Sequence, residues 1–435
     1  MSGARQLVIY RRRPSHPLLP AQLTTALLWA ISLASILLML LRPWRIAEVY
    51  WVCGGGLLLV LAGLIPAQQA MHAVYEGLDV YLFLIGMMVL AEMAREEKVF
   101  DWAAGVAASH AKGSPQRLFL LVYLVGTVVT ALLSNDATAV VLTPAVLTVA
   151  RRARVKPEPY LLACALIANA ASFVFPISNP ANLVVFNQKI PPLFAWLRIF
   201  ALPSAASILL TYLCLRWHAR DALHGRIQGD AQAAPLTTEG KLALAGLLLA
   251  AAALVTSSAL GLALGTPTCA AAVVALIVVA SRNRAIVASV ARGVSWSVLP
   301  LVAGLFVLVE ALHNAGLLQL ALAGLHTLAH WPAGLAKAAA AVTVALASNG
   351  MNNLPIGLMS GAAIRTAQES GLIAHALLIG VDLGPNLSVT GSLATILWLI
   401  ALRREHVEIT AWQFLKLGLY AMPIALAGSL LFLWN

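Results

Sequence analysis

Ser134-Asn135-Asp136-Ala137-Thr138 and Ser348-Asn349-Gly350-Met351-Asn352-Asn353 are two short polar runs set inside long apolar stretches, and they look like copies of each other. The apolar arms around the first are 118–133 and 139–150; those around the second are 333–347 and 356–366. A spanning helix needs about 20 apolar residues, so these arms read as too short to cross a bilayer. Polar, irregular backbone is tolerated at membrane depth only where protein buries it or where it lines a cavity. Paired, interrupted segments in the two halves of a transporter are the best sequence pointer to its substrate site. The two runs are therefore expected to be the tips of re-entrant helical hairpins.

Composition agrees with a membrane setting. The 435 residues are 61% hydrophobic and only 10% charged, and mean hydropathy is +0.87. A soluble domain carries about a quarter charged residues. The expected fold class is thus an all-α polytopic membrane protein. A net charge of +11 could suggest nucleic acid as a partner. The basic residues fall in connecting loops, so anionic lipid and the positive-inside rule explain them better, and no nucleic-acid partner is expected. Cys53, Cys164, Cys214 and Cys269 are scattered in apolar context, with neither metal-site nor disulfide spacing. They read as packing residues. No P-loop, zinc-protease motif or nucleophile elbow is present. The chain therefore reads as a transporter rather than an enzyme, one that does not itself hydrolyse ATP and needs no cofactor.

Apolar segments fall near 22–41, 48–66, 78–95, 118–150, 160–187, 194–216, 241–260, 267–281, 294–312, 333–366, 373–402 and 412–433. The first is long for a signal-peptide core and reads as retained. Basic clusters lie between 95 and 117, in 151–156, between 216 and 241, between 282 and 292, and at Arg403-Arg404. All of them fall on the cytoplasmic side if hairpin 118–150 enters from inside and hairpin 333–366 from outside. Arg11-Arg12-Arg13 disagrees: either that tail is external or segment 22–41 does not simply span. The stretch around Val99, Phe100, Trp102, Ala103 and Val106 is amphipathic and suits the membrane interface. His72, His110, His313, His326, His330 and His375 show no ligand spacing and read as loop or interface residues.

An internal repeat organises the chain. Gly86-Met87-Met88-Val89-Leu90-Ala91-Glu92 matches Gly304-Leu305-Phe306-Val307-Leu308-Val309-Glu310 in its Gly-to-Glu spacing. Each is followed by a polar-tipped hairpin and then by an interrupted apolar segment. The first interruption is Pro176-Ile177-Ser178-Asn179-Pro180-Ala181-Asn182; the second runs from Asp382 through Pro385, Asn386 and Thr390 to Ser392. Residues 1–216 then form an N-terminal half with hairpin 118–150 and broken helix 160–187. A cytoplasmic linker spans 217–240. Residues 241–435 form an inverted second half with hairpin 333–366 and broken helix 373–402. Opposite orientation places both breaks near the bilayer midplane.

A broken helix frees backbone donors and acceptors, and its half-helix N-terminus carries partial positive charge. Ser134, Asn135, Thr138, Ser178, Asn179, Asn182, Ser348, Asn349, Asn352, Asn353, Asn386, Thr390 and Ser392 add neutral donors and acceptors. Together they suit a small polyol-like or oxyanion substrate. Asp136 and Asp382 decide more. An acid at mid-bilayer costs roughly 3 kcal/mol on insertion scales and is a functional group by default. A carboxyl in an apolar setting can hold a proton near neutral pH, which a proton-coupled carrier needs. Two acids also repel a di-anionic substrate and favour a neutral solute or a cation. Capping is the bland alternative for Asp136, and an Arg partner or a cap the one for Asp382. Glu92 and Glu310 are weaker proton-coupling candidates, because interface solvation is cheap near segment ends.

These residues resemble a known family. Leu346-Ala347-Ser348-Asn349-Gly350-Met351-Asn352-Asn353-Leu354-Pro355 is similar to a hairpin of the bacterial arsenite/antimonite efflux permeases. Gly380-Val381-Asp382-Leu383-Gly384-Pro385-Asn386 and Gly391-Ser392-Leu393-Ala394-Thr395 closely resemble their second broken helix. Ser134-Asn135-Asp136 with Leu142-Thr143-Pro144 resembles their first hairpin, and Val99-Phe100-Asp101-Trp102-Ala103-Ala104 the segment before it. The resemblance implies the ion transporter superfamily fold and export of arsenite and antimonite across the bacterial inner membrane, exchanged for protons and driven by the proton motive force. It also implies that such permeases can associate with a soluble arsenite-stimulated ATPase. Asn386 departs from the family, whose familiar members carry Lys there. A sodium/proton antiporter of the same superfamily is the alternative; a channel or intramembrane hydrolase ranks below both.

Overall fold

In a computed structural model, residues 20–186, 190–229, 234–369 and 371–434 are described, and among them every regular element is helical. Arg11-Arg12-Arg13 lie outside the described residues. α1 (Ala21–Leu41) and α2 (Glu48–Leu61) lead to α3 (Ala67–Glu76) and α4 (Leu78–Glu96), a pair bent by 49°. After α5 (Val99–His110), the first hairpin descends as α6 (Pro115–Leu132). It returns as α7 (Asn135–Ala137), a π-helical stretch Thr138–Leu142 and α8 (Thr143–Arg152). The first broken helix is α9 (Glu158–Ala170), a 3-10 turn Pro176–Ser178 and α10 (Pro180–Phe186), followed by α11 (Leu193–His218). α12 (Thr238–Ala259), α13 (Gly265–Ala280), α14 (Ala285–Gly293), α15 (Val298–Asn314) and α16 (Leu317–Ala329) precede the second hairpin, α17 (Ala333–Met351) and α18 (Asn353–Ala367). The second broken helix is α19 (Leu372–Leu383), a 3-10 turn Gly384–Asn386 and α20 (Leu393–Arg404); α21 (Ala411–Leu431) closes the chain.

Six helical stretches among the described residues are long and apolar enough to cross a membrane, and the bent pair α3–α4 makes a seventh candidate. Exposed Leu, Val, Ile and Trp side chains cover them, as expected where lipid rather than water is the neighbour. α3 and α16 were not foreseen. Gln68 and Gln69 hide α3, and Gln319 and His326 dilute α16. His375, read as a loop or interface residue, is buried in α19 against Phe186 and Phe200.

The loops that carry the basic clusters meet at one end. Asn283 Nδ2 donates to Glu97 Oε1 at 3.2 Å, Ile227 N to Gly113 O at 3.0 Å, and Gly229 N to Ala153 O at 3.3 Å. Arg151 reaches Glu405, with Nη2 donating to its carbonyl at 2.9 Å. α4 runs toward this basic end and α15 away from it. Glu92 of α4 lies against Gly293, just before α15, while at the other end Tyr81 of α4 packs edge-on to Phe306 of α15.

The hairpin tips are tighter than the sequence suggests. Ser348 to Met351 stay helical, so α17 has 19 residues and the turn is Asn352 alone, at φ 72°. Such a helix is about 28 Å long, close to the thickness of a hydrocarbon core. Arm length therefore does not make these segments hairpins. What does is that their tips are buried against the helix breaks.

Close packing holds α19 on α17. A Cβ at Gly380 would collide with the Ala341 carbonyl, and one at Gly384 with that of Ala345. Small residues allow this backbone approach where lipid removes any hydrophobic drive between helices. Gly384→Val is expected to cost about 1–3 kcal/mol, seen as a lower unfolding temperature in detergent. Gly324→Val, with no atom within 4 Å of its would-be Cβ, is expected to leave it unchanged.

Candidate functional site

The two breaks meet inside the molecule. Asn179, in the first break, caps α10 by accepting from Ala181 N at 3.0 Å, and its Nδ2 donates to Asp382 Oδ1 at 2.8 Å. Asp382 is fully buried in the last turn of α19, and its Oδ2 has no hydrogen-bond partner among the described residues. Neither bland reading of Asp382 survives in the geometry: its recorded partner is an amide, and it stands at the C-terminal end of its half-helix.

Asp136 sits differently. Ser134 Oγ caps the returning arm by accepting from Ala137 N at 3.2 Å, and Asn135 Oδ1 accepts from Asp136 N at 2.9 Å. The cap is thus Ser134. The Asp136 side chain is left in the first turn, at the positive end of the helix, where a carboxylate is stabilised. No hydrogen bond from the described residues reaches it.

Asp136 lines a cavity of about 70 Å³ with Glu92, Ser134, Ser295 and Val298, extending toward the basic end. It also lines a neighbouring void of about 10 Å³ with Asn135, Asn179 and Asn353, walled by Leu84, Val298, Val302 and Leu393. That inner void is about the size that admits one water. Both hairpin tips, the first break and the start of α20 contribute to it. Among the described residues no Lys, Arg or His lines either space. Glu92 is buried and held by Arg95, whose Nε donates to Glu92 Oε2 at 2.9 Å.

The other polar residues singled out from sequence brace the backbone nearby. Asn182 Nδ2 donates to the carbonyls of Ser172 (2.8 Å), Phe175 and Pro176 (both 3.3 Å). Ser178 Oγ donates to Ala131 O at 2.9 Å and so ties the first break to the first hairpin. Thr138 shares a hydroxyl contact with Thr130 at 2.8 Å. In the second hairpin Ser348 Oγ bonds back to Val344 O, and Asn349 Nδ2 donates to Gly384 O at 2.9 Å. Asn349 Oδ1 accepts from Ser388 Oγ at 2.6 Å, and its carbonyl accepts from Thr390 Oγ1 at 3.0 Å. Asn352 caps α18 through Leu354 N, Asn353 N donates to Gly391 O at 2.8 Å, and Ser392 caps α20 through Thr395 N. Asn386 Oδ1 accepts from Asn169 Nδ2 at 3.0 Å, and its own Nδ2 donates to Leu166 O. Asn169 was missed in the sequence; its signal was a lone amide in an otherwise apolar helix. Glu310 stands apart from all of this, bonded to Gln69 Nε2 at 2.6 Å near the end opposite the basic one. The four cysteines are unpaired and line neither space.

Residues 26–382 match the pattern of the family described as citrate transporter. An arsenical pump membrane protein of Escherichia coli is 26% identical over 406 residues, covering 90% of this chain and 94% of that protein. Another, from Escherichia coli strain K12, is 27% identical over 348 residues, with 77% and 81% covered. An uncharacterized transporter of Mycobacterium tuberculosis is 26% identical over 432 residues, with 90% and 94% covered. The crystal structure of the YdaH transporter of Alcanivorax borkumensis shares the fold, at TM-score 0.55 and 16% identity over 84% of this chain and 86% of that one.

Removing the donor from Asp382 is expected to be expensive. Asn179→Ala should cost about 1–3 kcal/mol, because a buried acceptor is left unmatched. With Asp382→Leu added, the combined loss should fall short of the sum of the two single variants. Thermal unfolding in detergent checks this cycle; strictly additive losses would mean that the pair does not act as one.

Proposed function

The chain belongs to the citrate transporter family, and from that premise we propose that it is a secondary exporter of arsenite and antimonite, exchanged for protons by alternating access. The arsenical pump membrane proteins among its relatives support an arsenical cargo. One observation carries the choice within the family. The inner space is small and walled by Asn135, Asn179 and Asn353, the adjoining cavity adds Ser134, and Asp136 lines both with no cation among the described lining residues. A citrate-like polyanion would meet a carboxylate and no counter-charge there, and burying unpaired like charges is costly. Trivalent arsenous acid is largely neutral near pH 7 and behaves as a small triol. Amides and hydroxyls can hydrogen-bond it without charge pairing.

Protons are assigned to the acids. Asp136 faces the cargo space, and Asp382 stands one hydrogen bond behind it, through Asn179. Loading or releasing a proton at either changes which hydrogen bonds Asn179 and the hairpin tip can make. That gives the proton gradient a mechanical handle on the site. The basic end is assigned to the cytoplasm by the positive-inside rule, in a bacterial inner membrane. The cavity leading from Glu92 to Asp136 is then the cytoplasmic approach. A soluble arsenite-stimulated ATPase is a proposed partner at that end.

In everted vesicles, arsenite uptake in sodium-free buffer is expected, and a protonophore should collapse it. Sodium-dependent acid movement without arsenite uptake would assign a sodium/proton antiporter instead, and citrate uptake would return the cargo to an anion. Asp136→Asn should abolish or uncouple uptake; normal export by that variant would refute its proton role. A chain with Cys53, Cys164, Cys214 and Cys269 all replaced should still export, and loss of activity with the fold intact would point to a thiolate site.

A further inference from the structure

A second polar cavity, of about 300 Å³, lies at the end away from the basic clusters. It is lined by His72 and Glu76 of α3, Glu310 and His313 of α15, and Arg365 and Thr366 of α18. Glu310 is held by Gln69 at 2.6 Å and lies 3.7 Å from His313 Nδ1; His72 lies 3.6 Å from Glu76. Arg365 Nη1 is buried with no hydrogen-bond partner among the described residues. Paired acids, two imidazoles and an unmatched guanidinium N–H need water or a polar solute nearby.

This cavity shares its walls with the inner one. On α15, Val298 and Val302 face the inner space, while Phe306, Val309, Glu310 and His313 face the outer cavity. Spacings of three and four place them on one helix face. On α18, Asn353 and Leu354 face the inner space, and Leu358, Ala362 and Arg365 the outer one, again along one face. Val302 to Phe306, and Leu354 to Leu358, are each a single turn, a rise of about 6 Å. Phe306 stands at the outer end of that interval. It is nearly buried, and Tyr81 of α4 packs edge-on to it with ring centroids 6.1 Å apart. One turn along α4, Leu84 already lines the inner space. The repeat adds an independent observation. Glu92 and Glu310 occupy matched positions on antiparallel helices, and each lines the cavity at its own end.

We infer that the cavity between α3, α15 and α18 is the outer vestibule of the path that serves the inner site, and that Phe306, packed edge-on to Tyr81, is the plug between them, with Leu358 beside it in the cavity wall. This rests on the transport reading above. Protons arriving from outside first meet Glu310, faced by His313 on its own helix, by Gln69, His72 and Glu76 of α3, and by Arg365 of α18. A neutral oxyacid leaving the inner site has Arg365 and Thr366 as its next donors.

The test reads access rather than transport. In a chain with the four native cysteines replaced, Thr366→Cys, Val302→Cys and Ser295→Cys are made singly. They are labelled with a small membrane-impermeant methanethiosulfonate, in intact cells and in everted vesicles. Thr366→Cys is expected to label from outside only, and Ser295→Cys from inside only. Adding Phe306→Ala should speed outside labelling of Val302→Cys over its Phe306 parent; Leu358→Ala should do the same and serves if Phe306→Ala does not fold. Labelling of Thr366→Cys from inside, or no gain at Val302→Cys in the folded plug variants, would overturn the path. If the labelling pattern holds while vesicles carry no arsenite, the cargo assignment fails and the vestibule stands.

Discussion

A helix broken inside a membrane leaves N–H and C=O groups that lipid cannot satisfy. Each one left bare costs far more than the net gain from a made hydrogen bond. The interior of this protein is arranged around that constraint. The carbonyls released at the first break converge on Asn182, and the break is tied to the first hairpin through Ser178 and Ala131. The second break gives the Gly384 carbonyl to Asn349 and the Gly391 carbonyl to Asn353 N, both from the second hairpin. Asn386 and Asn169 then fasten one broken helix to the other. Few groups at the centre can move alone. A change at one tip is felt at a break, and a change at one break is felt at the other.

That bracing places two acids in opposite electrostatic settings. Asp136 stands in the first turn of its helix, at the positive end, and lines the inner space. Asp382 stands in the last turn of its half-helix, at the negative end, fully buried and held by one neutral amide. The helix dipole therefore acts on the two carboxyls in opposite senses. The two acids are not equivalents in the repeat either, since Asp136 belongs to a hairpin tip and Asp382 to a helix break. One acid lines the inner space, and the other reaches it only through Asn179.

Much of this was legible in the residues. Low charge and long apolar runs dictated helices in lipid. The placing of Ser, Asn and Asp in the middle of those runs marked the breaks, because polar groups there need a reason. The amphipathic 99–110 helix and both hairpins followed from the same pattern. The division of labour among the polar residues was not legible. Asn135, Asn179 and Asn353 reach the inner space, while Asn182, Asn349 and Asn386 brace backbone. An amide in a helix break looks the same in sequence whichever it does; only the direction of its side chain separates the two. The continued helix through Ser348 to Met351 was missed for a related reason. A back-bond such as Ser348 to Val344 satisfies a hydroxyl without breaking the helix. α3 and α16 were hidden because each has glutamines or histidines that lower its hydropathy, and α3 turns one such face toward the outer cavity.

The Glu92–Glu310 pair shows what the repeat contributes beyond economy of sequence. Both acids end the same Gly-to-Glu motif, so a simple duplication would place them in equivalent surroundings. Instead α4 and α15 run antiparallel, with Tyr81 against Phe306 at one end and Glu92 against Gly293 at the other. Glu92 is paired with Arg95 at the basic end, and Glu310 with Gln69 and His313 at the far end. These are the positions that two oppositely oriented units would give. The repeat thus sets an acid in the lining of a cavity at each end, with different partners. Phe306 stands on α15 between Val302 and Glu310, with its ring against Tyr81, while Glu92 and Asp136 line one space. Antiparallel α4 and α15, each carrying its acid toward its own end, are what a pair of oppositely oriented units requires.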